Sequence, residues 1–132
     1  MALRKEVKGF GMPWEDQYGY VQAVKVDDTI YVSGQLSHDE QGNLVGDSME
    51  TQMRQTYANA KKILAEFGAT LDNVVEEVVY VNDMDQAMTV AGRVRKEAYG
   101  TEKPLVASTI LVTPRLAFPT QLIEIKFIAK LG

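Results

Sequence analysis

The chain has 132 residues, with 14 Lys plus Arg against 18 Asp plus Glu for a formal net charge of −4, no cysteine and one histidine. Without cysteine there is no disulfide framework, thiolate nucleophile or Cys-based zinc or iron–sulfur site, and the single histidine, His38, excludes a multi-histidine metal site. The length fits one domain, residues 1–132, and the acidic balance argues against non-specific nucleic-acid binding, which needs a basic face.

The start, Met1 to Gly11, is charged and lacks the apolar run of a signal peptide. No apolar run is long enough to span a bilayer, so the chain reads as cytoplasmic. Val21 to Val26 and Thr29 to Ser33 are rich in β-formers and flank Asp27-Asp28, the spacing of a tight hairpin. His38 to Gly46 is polar and turn-rich, which predicts a loop with a solvated histidine. Met49, Met53, Tyr57, Ala60, Ile63, Leu64 and Phe67 then recur at helical spacing. Asp47 and Glu50 fit a capping box at the entry of that helix, and Gly68 fits a left-handed terminator.

Val74 to Val81 reads as a strand from its β-branched residues. A second helix follows Asp83 or Asp85, with Ala87, Met88, Ala91, Val94 and Ala98 as its stripe and Gly100 as its stop. Arg93, Arg95 and Lys96 are expected on its wet side. Val106 to Thr113 and Gln121 to Lys130 are strand-like, separated by Pro114 and Pro119. In the last run Ile123, Ile125, Phe127 and Ala129 share one face, and Leu122, Glu124, Lys126, Ile128 and Lys130 the other. The order β-β-α-β-α-β-β predicts an α+β fold: one sheet with two helices on one face. Its other, half-apolar face is a candidate oligomer interface.

Few residues point to chemistry on their own. Gly34, in Ser33-Gly34-Gln35, either lets a ligand approach the backbone or simply ends a strand. Glu124 is a carboxylate in an otherwise apolar strand. Burial would raise its pKa and make it a proton-transfer group; a solvated or ion-paired glutamate near Lys126 is the alternative. No Walker loop, dinucleotide fingerprint, zinc signature or EF-hand loop appears in the sequence.

The ordered set of Gly19 to Leu36, Ala65 to Val75, Val79 to Gln86 and Leu122 to Leu131 resembles the RidA/YjgF family of small reactive-imine deaminases. The resemblance runs from about Tyr18 onward. It implies a chorismate-mutase-like fold and a homotrimer whose sheets pack into a central barrel. It implies ligand clefts between subunits, where small enamine or imine metabolites are hydrolysed to a 2-keto acid and ammonia without a cofactor or metal. Tyr20, Ser33, Gly34 and Glu124 match the family's site positions, with Glu124 placed to act on the attacking water.

One position departs. Where deaminating members carry an arginine that holds the substrate carboxylate, in a Pro-Ala-Arg-Ser/Thr run, this chain reads Leu105-Val106-Ala107-Ser108-Thr109. Ala107 replaces the guanidinium, and Arg93 stands where the second helix usually has asparagine. Arg93 or Arg115 would have to supply a substitute cation. Two readings follow from the resemblance: a hydrolytic deaminase with an altered substrate range, or a module that binds a small metabolite in the same cleft without turnover. Ribonuclease activity gains little support from an acidic chain with one loop histidine.

Overall fold

Val26 pairs with Thr29 across the Asp27-Asp28 turn, and Asp27 takes a left-handed φ of 52°, a conformation that aspartate tolerates better than most residues. In the computed structural model, which describes residues 2–132, this hairpin joins β2 (Ala23–Val26) to β3 (Thr29–Gln35). The long helices are α2 (Met49–Ala65) and α3 (Met84–Tyr99), and the later strands are β4 (Val74–Val81), β5 (Ala107–Val112) and β6 (Ile123–Lys130). Two elements before the hairpin are additions to the expected order: β1 (Glu6–Lys8), paired antiparallel with β2, and a short helix α1 (Pro13–Tyr18). Both are brief and lack an apolar period, which is why no pattern announces them.

The strands form one six-stranded sheet in the order β1-β2-β3-β6-β4-β5. The final strand inserts at the centre, antiparallel to both β3 and β4, while β4 and β5 run parallel with α3 as their connection. Ile123, Ile125, Phe127 and Ala129 are buried and meet Met53, Tyr57, Ala60, Ile63 and Leu64 of α2 and Ala87, Ala91 and Val94 of α3 in one core cluster. Both helices therefore cover the same face, as the alternation in the last strand predicts.

The helix ends follow local chemistry. Ser48, not Asp47, caps α2: its hydroxyl accepts from Thr51 N at 3.1 Å. Gly68 reverses the chain after α2 with φ 74°. Gly68 N donates to Ala65 O and Ala69 N to Leu64 O, both at 3.0 Å, the paired bonds of a Schellman stop that favours glycine at this position. Asp83 caps α3 by accepting from Gln86 N at 3.0 Å, and Gly100 ends it.

A buried polar cluster joins the layers. Glu77 of β4 has no exposed side chain. Its Oε1 accepts from the hydroxyls of Tyr57 and Tyr99, each at 2.8 Å. Its Oε2 accepts from Arg95 Nε and Ser108 Oγ, each at 2.9 Å. Arg95 is thus drawn inward with 21% of its side chain exposed, contrary to the wet-side expectation. Burial and the Glu77 charge push both tyrosine hydroxyls above their ordinary pKa. His38 also departs from expectation. It is buried, edge-on to Phe10 and Trp14 with centroids 5.4 Å away in each case, and its Nδ1 lies 2.9 Å from Asp39 O. Phe10, between β1 and α1, and Trp14 of α1 supply those two rings, so the loop sequence alone does not reveal its burial.

Removing a partner from a buried ion pair leaves the other charge uncompensated and typically costs about 3–5 kcal/mol. Glu77→Ala is expected to lower stability by an amount in that range, read as a fall in the urea midpoint. Ser48→Ala is expected to cost about 1 kcal/mol as a lost cap, and Asp47→Ala close to nothing.

Candidate functional site

The pleat sends Glu124 to the sheet face opposite the helices. Glu124 pairs with Tyr80 of β4 on one side. On the other side the β3–β6 register slips between Val32 and Gln35, and Gly34 lies in that irregularity. A Cβ built on Gly34 would overlap Glu124 Oε2 and stand 2.7 Å from the carboxyl carbon. Only a glycine lets the carboxylate lie flat against this backbone. Gln121, itself buried, donates to Glu124 Oε1 at 3.3 Å and to Ile123 O at 3.1 Å. Burial raises the Glu124 pKa above its ordinary 4.5, and the Gln121 bond partly opposes that rise. The protonated carboxyl is therefore favoured relative to an exposed glutamate, the direction that suits a group that gives and takes a proton.

Tyr20, 40% exposed, lies near enough to feel this carboxyl. Its hydroxyl is held above its ordinary pKa by partial burial and by the charges of Glu15 and Glu124. Behind it runs a directional chain of amides. Gln35 Nε2 donates to Gln22 Oε1 at 2.8 Å, and Gln22 Nε2 donates to Glu15 Oε2 at 3.2 Å. The same carboxylate oxygen accepts from Phe10 N and Met12 N, so Glu15 anchors the segment carrying Tyr20. Ser33 is used structurally, donating to Val21 O at 2.8 Å.

The remaining candidate residues lie elsewhere. Tyr80 pairs with Leu111 of β5, whereas Ala107 pairs with Glu76. Ala107 is thus four residues along and two strands across from Glu124, about 13 Å by about 10 Å at ordinary strand rise and spacing. Within one chain no small ligand touches both. Ala107 and Thr109 face away from the helices, while Ser108 turns toward them to bond Glu77. Arg93 is on the outer surface of α3, 58% exposed, with Nη2 2.8 Å from Glu50 Oε1. Arg93 and Arg54 hold the Glu50 carboxyl down at about 2. Arg115 is exposed in the loop after β5, where its carbonyl accepts from Thr113 Oγ1 at 3.3 Å.

Sequence reasoning missed Gln121, the Glu15–Gln22–Gln35 chain and the Glu77 cluster. The signal for Glu77 was present: it shares strand parity with the buried Val79 and Val81. The signal for Gln121 was weaker, since it precedes the regular part of β6.

The family described as Endoribonuclease L-PSP matches residues 15–131. A RutC family protein from Pyrococcus horikoshii is 33% identical over 112 residues, covering 83% of this chain and 85% of that protein. The 2-iminobutanoate/2-iminopropanoate deaminase of Mus musculus is 34% identical over 97 residues, covering 73% and 72%. A solved Mycobacterium tuberculosis member of the YjgF/YER057c/UK114 family superposes with a TM-score of 0.83 at 28% identity, covering 97% of this chain and 100% of that one.

A carboxyl whose pKa is raised by folding binds more protons in the folded than in the unfolded state, so its contribution to stability falls as pH rises through that window. Glu124→Gln is therefore expected to raise the melting temperature at pH 7. The gain should shrink as pH falls toward and below 4.5, the ordinary value of the group. Melting curves at stepped pH check this; a gain that persists unchanged at pH 3.5 contradicts the raised pKa.

Proposed function

The chain belongs to the RidA/YjgF family, and on that premise we propose that it hydrolyses a small enamine or imine in clefts formed between subunits of a homotrimer. The packing of Glu124 against Gly34, beside Tyr20, carries this reading. That half-site offers a carboxyl whose pKa is raised by burial, seated on the Gly34 backbone, and a phenol. Glu124 gives a proton to the imine nitrogen and then takes one from the water that attacks the carbon. The name of the mouse relative, an imine deaminase, supports the reaction class.

The trimer completes the site in this reading. The face opposite the helices carries Val24, Tyr31, Tyr80, Leu111 and Ile128, with Tyr31 50% exposed. Packing three such faces into a barrel buries these side chains. It also brings the Ala107 end of one β5 toward the Glu124 of a neighbour, which the separation within one chain forbids. The substrate range is shifted from that of arginine-bearing relatives, because Ala107 has no guanidinium for a bidentate carboxylate clamp.

The missing guanidinium also favours a second reading, binding in the same cleft without turnover. The two are separated by assaying ammonia and carbonyl product from imines generated in place. With 2-iminopropanoate the native protein is expected to be slow. Ala107→Arg is expected to raise its kcat/KM by at least roughly tenfold, about the value of one charge-assisted contact. Adding Glu124→Gln to that variant is expected to remove about a hundredfold or more, a common contribution of general acid–base catalysis. An Ala107→Arg, Glu124→Gln double variant as active as Ala107→Arg contradicts the role of Glu124. Binding with no product from any imine favours the second reading.

Light scattering at micromolar concentration is expected to give three times the 14.7 kDa chain mass. A monodisperse monomer contradicts the intersubunit site.

A further inference from the structure

We infer that the ligand of this cleft is an imine or amine lacking a carboxylate, uncharged or cationic, and that Glu76, beside Ala107, selects for it. The inference rests on the cleft reading above and names its substrate class. Three observations carry it.

The first is the register of β5. Ala107 pairs with Glu76 across the parallel β4–β5 ladder. Paired strands lie about 4.8 Å apart, and both side chains project on the face away from the helices. Glu76 is exposed there. The position that would grip an anion is thus a methyl group beside a carboxylate.

The second is the other half-site. Glu124 is bonded by the neutral Gln121. Tyr20 feels the charges of Glu15 and Glu124. None of the ion pairs among the described residues includes Glu76 or Glu124.

The third is where the cations are. Arg54 and Arg93 are held by Glu50 and Glu97 on the outer helices, and Arg95 by Glu77 beneath the sheet. Arg115 stands in the exposed loop after β5. Lys126 and Lys130 also project on the open face, Lys126 opposite Val78 and diagonal to Glu76, and Lys130 with its Nζ 4.0 Å from Asp28 Oδ1. A ligand carboxylate at Ala107 meets the Glu76 carboxylate in place of a guanidinium, which is costly once water is excluded. A ligand nitrogen that takes up a proton meets the opposite sign.

The chemistry is compatible with that charge. The oxygen of water bonds to the imine carbon, the carbon–nitrogen bond breaks, and both water protons leave with nitrogen. One imine and one water thus give one carbonyl compound and one ammonia, with no change of oxidation state. Positive charge develops on nitrogen during proton transfer, beside carboxylates that stabilise it.

The test uses the full chain and two unreactive probes of similar size, propylammonium and 2-oxobutanoate, in calorimetric titrations. Propylammonium is expected to bind at least roughly tenfold more tightly, the ratio a modest charge preference produces. Glu76→Gln is expected to lower that ratio severalfold, and Ala107→Arg to reverse it. Equal or tighter binding of 2-oxobutanoate by the native protein overturns the inference, as does failure of both probes to bind at millimolar concentration. Turnover is read separately, with propan-1-imine made from propylamine by an amine oxidase and 2-iminobutanoate made by an amino-acid oxidase. Selective propylammonium binding with neither imine hydrolysed upholds the inference and overturns the hydrolytic reading. Preference for 2-oxobutanoate with hydrolysis of 2-iminobutanoate does the reverse.

Discussion

Glu77 is a charge placed where water cannot reach it, between the sheet and both long helices. A buried carboxylate is tolerable only when its oxygens are filled by donors. Here Tyr57 comes from α2, Tyr99 and Arg95 from α3 and Ser108 from β5. The need to satisfy one anion therefore fixes two helices and an edge strand against the central part of the sheet. β5 depends on this more than the others. As an edge strand it has one neighbour, β4, in the ladder, and the Ser108 bond pins it from beneath. Its open-face residues, Ala107 and Thr109, take their positions from that anchoring.

The two faces of the sheet thus have different tasks. The helix face satisfies most of its polar groups internally, with Gln35 Oε1 a buried exception. Gln52, for example, reaches Gly46 O and Thr120 O with its amide and accepts from Leu122 N at 2.8 Å, which ties the loops flanking β3 and β6 to α2. The opposite face leaves its groups less completely matched. Glu124 has one neutral donor and rests against the Gly34 backbone. Rigidity on one side and unspent hydrogen-bonding capacity on the other is a sound arrangement for a candidate site, because the open-face groups are held by a scaffold that does not itself need them.

Much of the fold was legible because it rests on periodicity. The α2 stripe from Met49 to Leu64, the alternation in β6 and the glycine stops at Gly68 and Gly100 all express local rules that survive folding. The failures were of two kinds. β1 and α1 are stabilised by what they pack against, and so they leave no pattern of their own. Arg95, Glu77 and His38 look like surface residues by type. Their burial depends on partners 13 to 31 residues away or on the rings of Phe10 and Trp14. At the candidate site the sequence located Gly34 and Glu124 through strand position and resemblance, but contact between them is a consequence of the register slip in β3. Arg93 matched a position in the resemblance while its side chain serves an ion pair with Glu50 on the outer surface.

The arginines follow the same division between the faces. A guanidinium contributes most where its fork meets a carboxylate and water is scarce. In this chain the arginine closest to that condition is Arg95 beneath the sheet, which gives Nε to Glu77 Oε2 and Nη2 to Ser108 Oγ. Exposed counterparts, Arg54 and Arg93 with Glu50 and Glu97, contribute less because solvent screens them. The arginine absent from position 107 and the one present at position 95 lie on opposite sides of β5. Ser108 makes the connection: its side chain turns to the helix face, where Arg95 Nη2 reaches it at 3.2 Å, while its neighbours 107 and 109 face the opening. A guanidinium supports this strand from below, and on the open face above it the side chain paired with Ala107 is the Glu76 carboxylate. The same strand thus gains stability from its buried cation without presenting that cation to a ligand.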